Sequence, residues 1–203
     1  MLCRIVAAAV VVVSVGCSGP VPGSQASAPP TAAPASAPSV SGKAPAGAII
    51  MLEPPTSRAF PLPDGPAIMD QYAKQFVPDL LFVRVGQPVE FRNSEDSPHN
   101  VNVSRMPTGT ALFNTSTAPF QKFVYTFEQP GQYSVTCDIH PGMLATLVAT
   151  TTPYVAVADD RGAFAFNDLA PGAYKLVWMA SGGSGEKTIE VSTGAVTVAV
   201  GGS

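Results

Sequence analysis

Tyr133-Ser134-Val135-Thr136-Cys137-Asp138-Ile139-His140-Pro141-Gly142-Met143 is the stretch from which the fold of this chain can be read. Tyr133, Val135 and Cys137 alternate with Ser134 and Thr136, the period of a strand with one buried face. Pro141-Gly142 marks a turn, and Leu144 to Val148 reads as the next strand. Cys137, His140 and Met143 therefore fall, three residues apart, on the loop that joins two strands. The only other histidine, His99, lies upstream in Asn93-Ser94-Glu95-Asp96-Ser97-Pro98-His99-Asn100-Val101.

Cys137 is the only cysteine after residue 17. A thiolate, two imidazoles and a thioether form the donor set of a blue-copper site, a His₂Cys plane with a weak axial methionine. Zinc gains little from a thioether, and its structural sites usually carry four nitrogen or thiolate donors. A Cys–His nucleophilic pair lacks a third orienting group or an oxyanion motif. A multicopper oxidase needs many more histidines than this chain has. We therefore expect no enzymatic activity and one type 1 copper.

Outward from that loop the chain reads as strands and turns. Leu80 to Val85, Val89 to Asn93, Val101 to Val103 and Phe123 to Phe127 precede the cysteine strand. Val155 to Val157, Phe164 to Phe166, Tyr174 to Met179, Thr188 to Val191 and Ala195 to Val200 follow it. Ala170-Pro171-Gly172 and Ser181 to Gly185 are read as turns. Strands about ten residues apart with turn signals between them indicate an all-β sandwich or barrel. Met69 to Gln75 is the best short helix candidate.

The composition agrees. Glycine and proline number 18 and 21 in 203 residues, which disfavours a helical bundle. The net charge of −3 offers no basic field for nucleic acid.

Residues 1–17 read as an export segment: Arg4, an apolar run from Ile5 to Val13, then Ser14-Val15-Gly16-Cys17. This resembles the lipobox of bacterial lipoproteins, which implies lipidation at Cys17 and a membrane anchor in the periplasm or at the cell surface. Residues 18–41 are uncharged and rich in Pro, Ala and Ser. They read as an extended tether reaching roughly 75 Å.

Residues 66–150 resemble a cupredoxin. The Cys-x-x-His-x-x-Met loop is similar to that of amicyanin, and Asp96-Ser97-Pro98-His99-Asn100-Val101 to the first-histidine loop of the plastocyanin and amicyanin group. The resemblance implies a Greek-key sandwich, copper ligands His99, Cys137, His140 and Met143, and single-electron transfer with an unidentified redox partner. It also implies that Asn100 gives its backbone N–H to the Cys137 sulfur and ties the two loops through its side chain. Asp138 stands where a hydroxyl residue is more usual. Ile139 keeps an N–H where proline is common, a second potential donor to that sulfur. The edge of His140 should emerge in an apolar patch bordered by Pro98 and Met106. A copper-delivery protein without redox cycling would use the same ligands.

Asp160-Arg161-Gly162-Ala163-Phe164 and Leu169-Ala170-Pro171-Gly172-Ala173-Tyr174 resemble the carboxypeptidase regulatory-like, transthyretin-type sandwich. That second, smaller β-sandwich is short of strands within 151–201. Residues 42–62 contain a matching opening strand, Ala48 to Leu52. The expected organisation is therefore a cupredoxin interrupting the second sandwich, with Ala48 to Leu52 as the cupredoxin's own first strand being the alternative.

Overall fold

The computed structural model describes residues 37–54 and 59–201. The export segment, Cys17 and most of the stretch read as a tether lie outside the described residues. The last part of that stretch does not: a strand opens at Ser39, inside the 18–41 boundary.

Among the described residues there are sixteen strands and no helix. In chain order they are β1 (Ser39–Lys43), β2 (Ile49–Glu53), β3 (Ala67–Tyr72), β4 (Gln75–Val77), β5 (Leu80–Arg84), β6 (Pro88–Asn93), β7 (His99–Arg105) and β8 (Thr110–Thr117). There follow β9 (Lys122–Thr126), β10 (Gly131–Thr136), β11 (Leu144–Thr150), β12 (Val155–Val157), β13 (Ala163–Phe166), β14 (Gly172–Ala180), β15 (Gly183–Val191) and β16 (Ala195–Ala199).

Strands β3 to β11 build one sandwich, from the sheets β5-β11-β10-β7-β8 and β4-β3-β6-β9. Its core holds Met69, Phe91, Val101, Val103, Phe127, Tyr133, Val135 and Leu147, the inward residues of alternating strands. The remaining strands build a second sandwich, from β13-β1-β16 and β12-β2-β14-β15, around Val40, Ile50, Leu52, Phe164, Tyr174 and Leu176. β2 pairs antiparallel with both β12 and β14, with Ile50 opposite Ala156 and Trp178. The chain thus leaves the second sandwich after β2, builds the whole first sandwich, and returns at β12.

Both passages are clamped at one place. The Arg84 guanidinium lies over the ring of Phe60, 5.4 Å from its centroid. It also donates to the carbonyls of Thr150 and Thr151, the latter at 2.6 Å. Phe60 meets Tyr154 edge-on at 5.6 Å, and Gln87 donates to the Gly65 carbonyl. Close by, Met51 and Met179 face Gly131, Val148 and Ala149 across a gap of only about 50 Å³.

Two further expectations are corrected. Met69 to Gln75 is not helical: it forms β3, a tight turn at Ala73 and Lys74, and the start of β4. Both turn residues have positive φ, +53° and +55°, a conformation for which the sequence shows no glycine or asparagine. The long hairpin β14–β15 turns at Ser181-Gly182 alone, and strand pairing runs on through Gly183 to Gly185. Trp178 is the reason Gly185 is small, because a Cβ there would come within 2.3 Å of the indole ring. Strand β8, rich in Thr, Asn and Ser, was not assigned from the sequence.

Candidate metal centre

Strand parity brings the donors together. On β7, His99, Val101 and Val103 point inward, and on β10 Tyr133, Val135 and then Cys137 do the same. The strands are neighbours, so His99 and Cys137 meet at one end of the sandwich. The loop between β10 and β11 closes on itself. The Cys137 N–H donates to the Met143 carbonyl at 3.2 Å and the Met143 N–H to that of His140 at 3.3 Å. Gly142, at φ +92°, makes the turn possible.

The Cys137 sulfur lies 3.8 Å from Nδ1 of His99 and 3.9 Å from Nδ1 of His140, and the two nitrogens are 3.0 Å apart. A point equidistant from all three atoms would be roughly 2.1 Å from each, the length of a metal–imidazole bond. Among the described residues no fourth imidazole, thiolate or carboxylate joins the group. Met143 is buried in the same core as Cys137. A trigonal two-imidazole, one-thiolate arrangement with only a thioether to add suits copper better than structural zinc. His99 and Cys137 are buried and His140 is partly exposed, so one imidazole reaches the surface.

The first-histidine loop is braced from below. Asn93, almost fully buried, donates to the carbonyls of Ser97, Thr117 and Ala118 and accepts from the Glu95 N–H. Gln71, fully buried, donates to the Asn100 carbonyl and accepts from the Thr117 hydroxyl at 2.6 Å.

Glu95 completes the loop, in a role that the sequence reading did not assign. Its Oε2 lies 2.6 Å from Nε2 of His99. Burial draws this carboxyl up, but the His99 hydrogen bond, with the backbone N–H groups of Lys74 and Ala73, more than offsets it and leaves it below the usual range. An ionised carboxylate can only accept, so Nε2 carries the proton and the Nδ1 lone pair is left facing Cys137 and His140.

Asp138 ties the two loops. Its N–H donates to Oδ1 of Asn100 at 2.7 Å, and its carboxylate accepts from Nδ2 of Asn100 at 3.0 Å. Asn102 and Asn114 donate to the same carboxylate, at 3.0 and 2.7 Å. The Asn102 and Asn114 amides, with that of Asn100, hold this carboxyl below the usual range against the pull of desolvation. Among the described residues, the sulfur's hydrogen-bond partners are the two imidazoles; the Asn100 and Ile139 amides are not among them.

Several exposed apolar side chains lie at this end, beside the exposed Lys74, Asp96 and Asp138. Ile139 and Leu144 are 49% and 61% exposed, Pro141 is exposed between them in sequence, and Pro98, next to His99, is exposed too. Tyr72, the last residue of β3, and Phe120, on the β8–β9 loop, are 62% and 69% exposed at the same end. Met106 does not border this patch. It follows β7 at the opposite end, where Arg105 pairs with Tyr133.

Residues 67–150 match the model of the copper binding proteins, plastocyanin/azurin family. The chain is 38% identical to plastocyanin of Prochlorothrix hollandica over 88 residues, 41% of this chain and 66% of the relative. It is 32% identical to chloroplastic plastocyanin of Hordeum vulgare over 74 residues, 33% of this chain and 48% of that one. It thus spans less than two thirds of either plastocyanin. A reduced amicyanin variant aligns at 27% identity and a TM-score of 0.39, covering 49% of this chain and 99% of that structure. The family match, the plastocyanin similarity and the two-sheet sandwich with its converging His99, Cys137 and His140 together give residues 67–150 the cupredoxin fold.

Proposed function

We propose that this protein is an exported one-electron carrier with a single type 1 copper held by His99, Cys137, His140 and Met143. The observation that carries the reading is the convergence of two imidazole nitrogens and one thiolate around a point at metal-bond distance from each. Copper bound there would supply the one-electron couple. The chain's part is to hold the donors in one arrangement through both oxidation states, which the bracing by Asn93, Gln71, Glu95 and Asp138 favours. His140, partly exposed among the apolar side chains of that end, is the electron's way out. A small patch of that kind suits brief encounters with a redox protein.

The proposed organisation is a cupredoxin at 66–150 set into a second sandwich formed by 39–62 and 151–201. We assign that sandwich to the carboxypeptidase regulatory-like, transthyretin type. Lipidation at Cys17 and tethering through the residues between it and β1 would place the carrier at a membrane surface outside the cytoplasm. The deciding experiment is the visible spectrum of the copper(II)-loaded protein. An intense thiolate-to-copper band with a reversible one-electron couple is expected. Tight copper(I) binding without that band would instead indicate copper delivery.

A further inference from the structure

The loop carrying Cys137 is tied to its neighbours by more than one asparagine. Strand alternation puts His99, Val101 and Val103 of β7 on the core face and Asn100 and Asn102 on the other, where Asn100 is itself buried. Alternation along β10 puts Thr136, and after it Asp138, on that same face, and Thr136 pairs with Asn102. One strand further out, Asn114 of β8 pairs with Asn102. The register therefore brings three amides from two strands to a single carboxylate at the start of the metal loop.

The hydrogen bonds leave little slack. Nδ2 of Asn100 donates both to Oδ1 of Asn114, at 2.7 Å, and to Asp138. Nδ2 of Asn114 returns a bond to Asp138 at 2.7 Å. Asn102 spans both carboxylate oxygens, at 3.0 and 3.2 Å. The Asp138 N–H closes the circuit on Asn100. Asp138 is the residue after Cys137, so whatever fixes its backbone fixes the direction from which the sulfur enters the site.

We propose that Asn102 and Asn114 are positioning residues for the metal centre: with Asn100 they hold the Asp138 carboxylate, and through it the Cys137 backbone. A single Asn100–Asp138 pair would tie β7 to the loop and leave it free to pivot; the bonds to Asn102 and Asn114 remove that pivot. The carboxylate is also a negative charge one residue from the sulfur. A neighbouring negative charge stabilises the more positive oxidised metal, so it lowers the reduction potential. This second effect rests on the copper reading above, whereas the mechanical effect does not.

The test has one arm without metal and one with it. In the metal-free protein, amide hydrogen exchange at Asp138 should quicken about tenfold or more in Asn114→Ala and Asn102→Ala, with the Val135 amide unchanged as a control for folding. Exchange at Asp138 equal to wild type in both variants overturns the positioning role. In the copper-loaded protein, Asp138→Asn should favour copper(I) by about threefold, an upward shift of about 30 mV. Asp138→Ser keeps an acceptor for Asn100 without the charge and should shift the potential the same way. If the copper band is present and neither potential moves, the charge effect is wrong. If wild-type protein shows no copper band, the copper reading fails, and the exchange measurement still decides the mechanical one.

Discussion

The carboxylate of Glu95 sits 2.6 Å from Nε2 of His99, whose own side chain has no exposed surface. That contact chooses the tautomer, since the proton must lie on the side of the carboxylate. The Nδ1 lone pair is then available before any metal arrives. Glu95→Gln keeps the shape and removes the charge. Copper(II) affinity should fall by about ten- to a hundredfold, with the reduction potential moving upward. Competition titration against a chelator measures the first and voltammetry the second. An affinity unchanged from wild type would show that the β7 backbone alone orients the ring.

The end surface around His140 should govern encounter. Electron self-exchange, read from NMR line broadening in mixtures of the two oxidation states, should vary little with ionic strength, because apolar side chains make the contact. Leu144→Glu should slow it by about tenfold at low salt, with recovery as salt screens the new charge. A steep salt dependence in the wild type would mean that charged groups such as Asp96 and Asp138 control docking instead.

Arg84 should hold the two sandwiches together. Its guanidinium touches both passages of the chain, through Phe60 on one side and the Thr150 and Thr151 carbonyls on the other. Arg84→Met should cost about 1–2 kcal/mol, the range of a charged hydrogen bond with partial exposure. It should also split a single urea transition into two, seen separately by the fluorescence of Trp178 and by near-UV signals from the tyrosines of the other sandwich. A single transition with an unchanged midpoint would place the coupling elsewhere, for instance at Met51 and Met179.

Glu90 should give the fold part of its acid sensitivity. Its nearly buried carboxylate accepts from Lys122 at 2.7 Å and from Arg92, and those hydrogen bonds hold its pKa below the ordinary value. A carboxyl depressed in the folded state contributes stability in full above the unfolded pKa, about 4.3. That contribution is lost as pH falls through the lower folded value. Urea midpoints should therefore drop on acidification below about pH 4.3, and Glu90→Gln should flatten that drop. Parallel curves for the two proteins would argue that other carboxylates carry the effect.

The proposed metal ligands could be read directly because their side chains are rare and three of the four are close in sequence. Two histidines and one cysteine beyond residue 17 leave few ways to build a site. Glu95, Asn102 and Asn114 could not be read that way. Glutamate and asparagine are common, and their meaning here depends on which strand lies beside which. Asn102 meets Asn114 only because β8 folds back on β7, and β8 itself is hidden in a polar edge-strand composition. The hairpin of β3 and β4 was obscured by the opposite problem. Met69, Tyr72 and Phe76 are spaced like a helix face, and the turn uses Ala73 and Lys74 without the residues that advertise positive φ. For Ala48 to Leu52 the sequence left two partners open, and the pairing with β12 and β14 follows from register alone.

The junction of the two sandwiches lies at the Thr150 end of β11, and the metal loop at its Leu144 end, roughly 20 Å away along the strand. An electrode makes the consequence concrete. Protein bonded to a conducting surface through β15 or β16 would present its insulating side, with the length of a sandwich between metal and conductor. The same protein bonded through a residue beside Leu144 would sit with its exposed imidazole against the surface. One molecule immobilised in two ways should behave as a poor contact and as a good one.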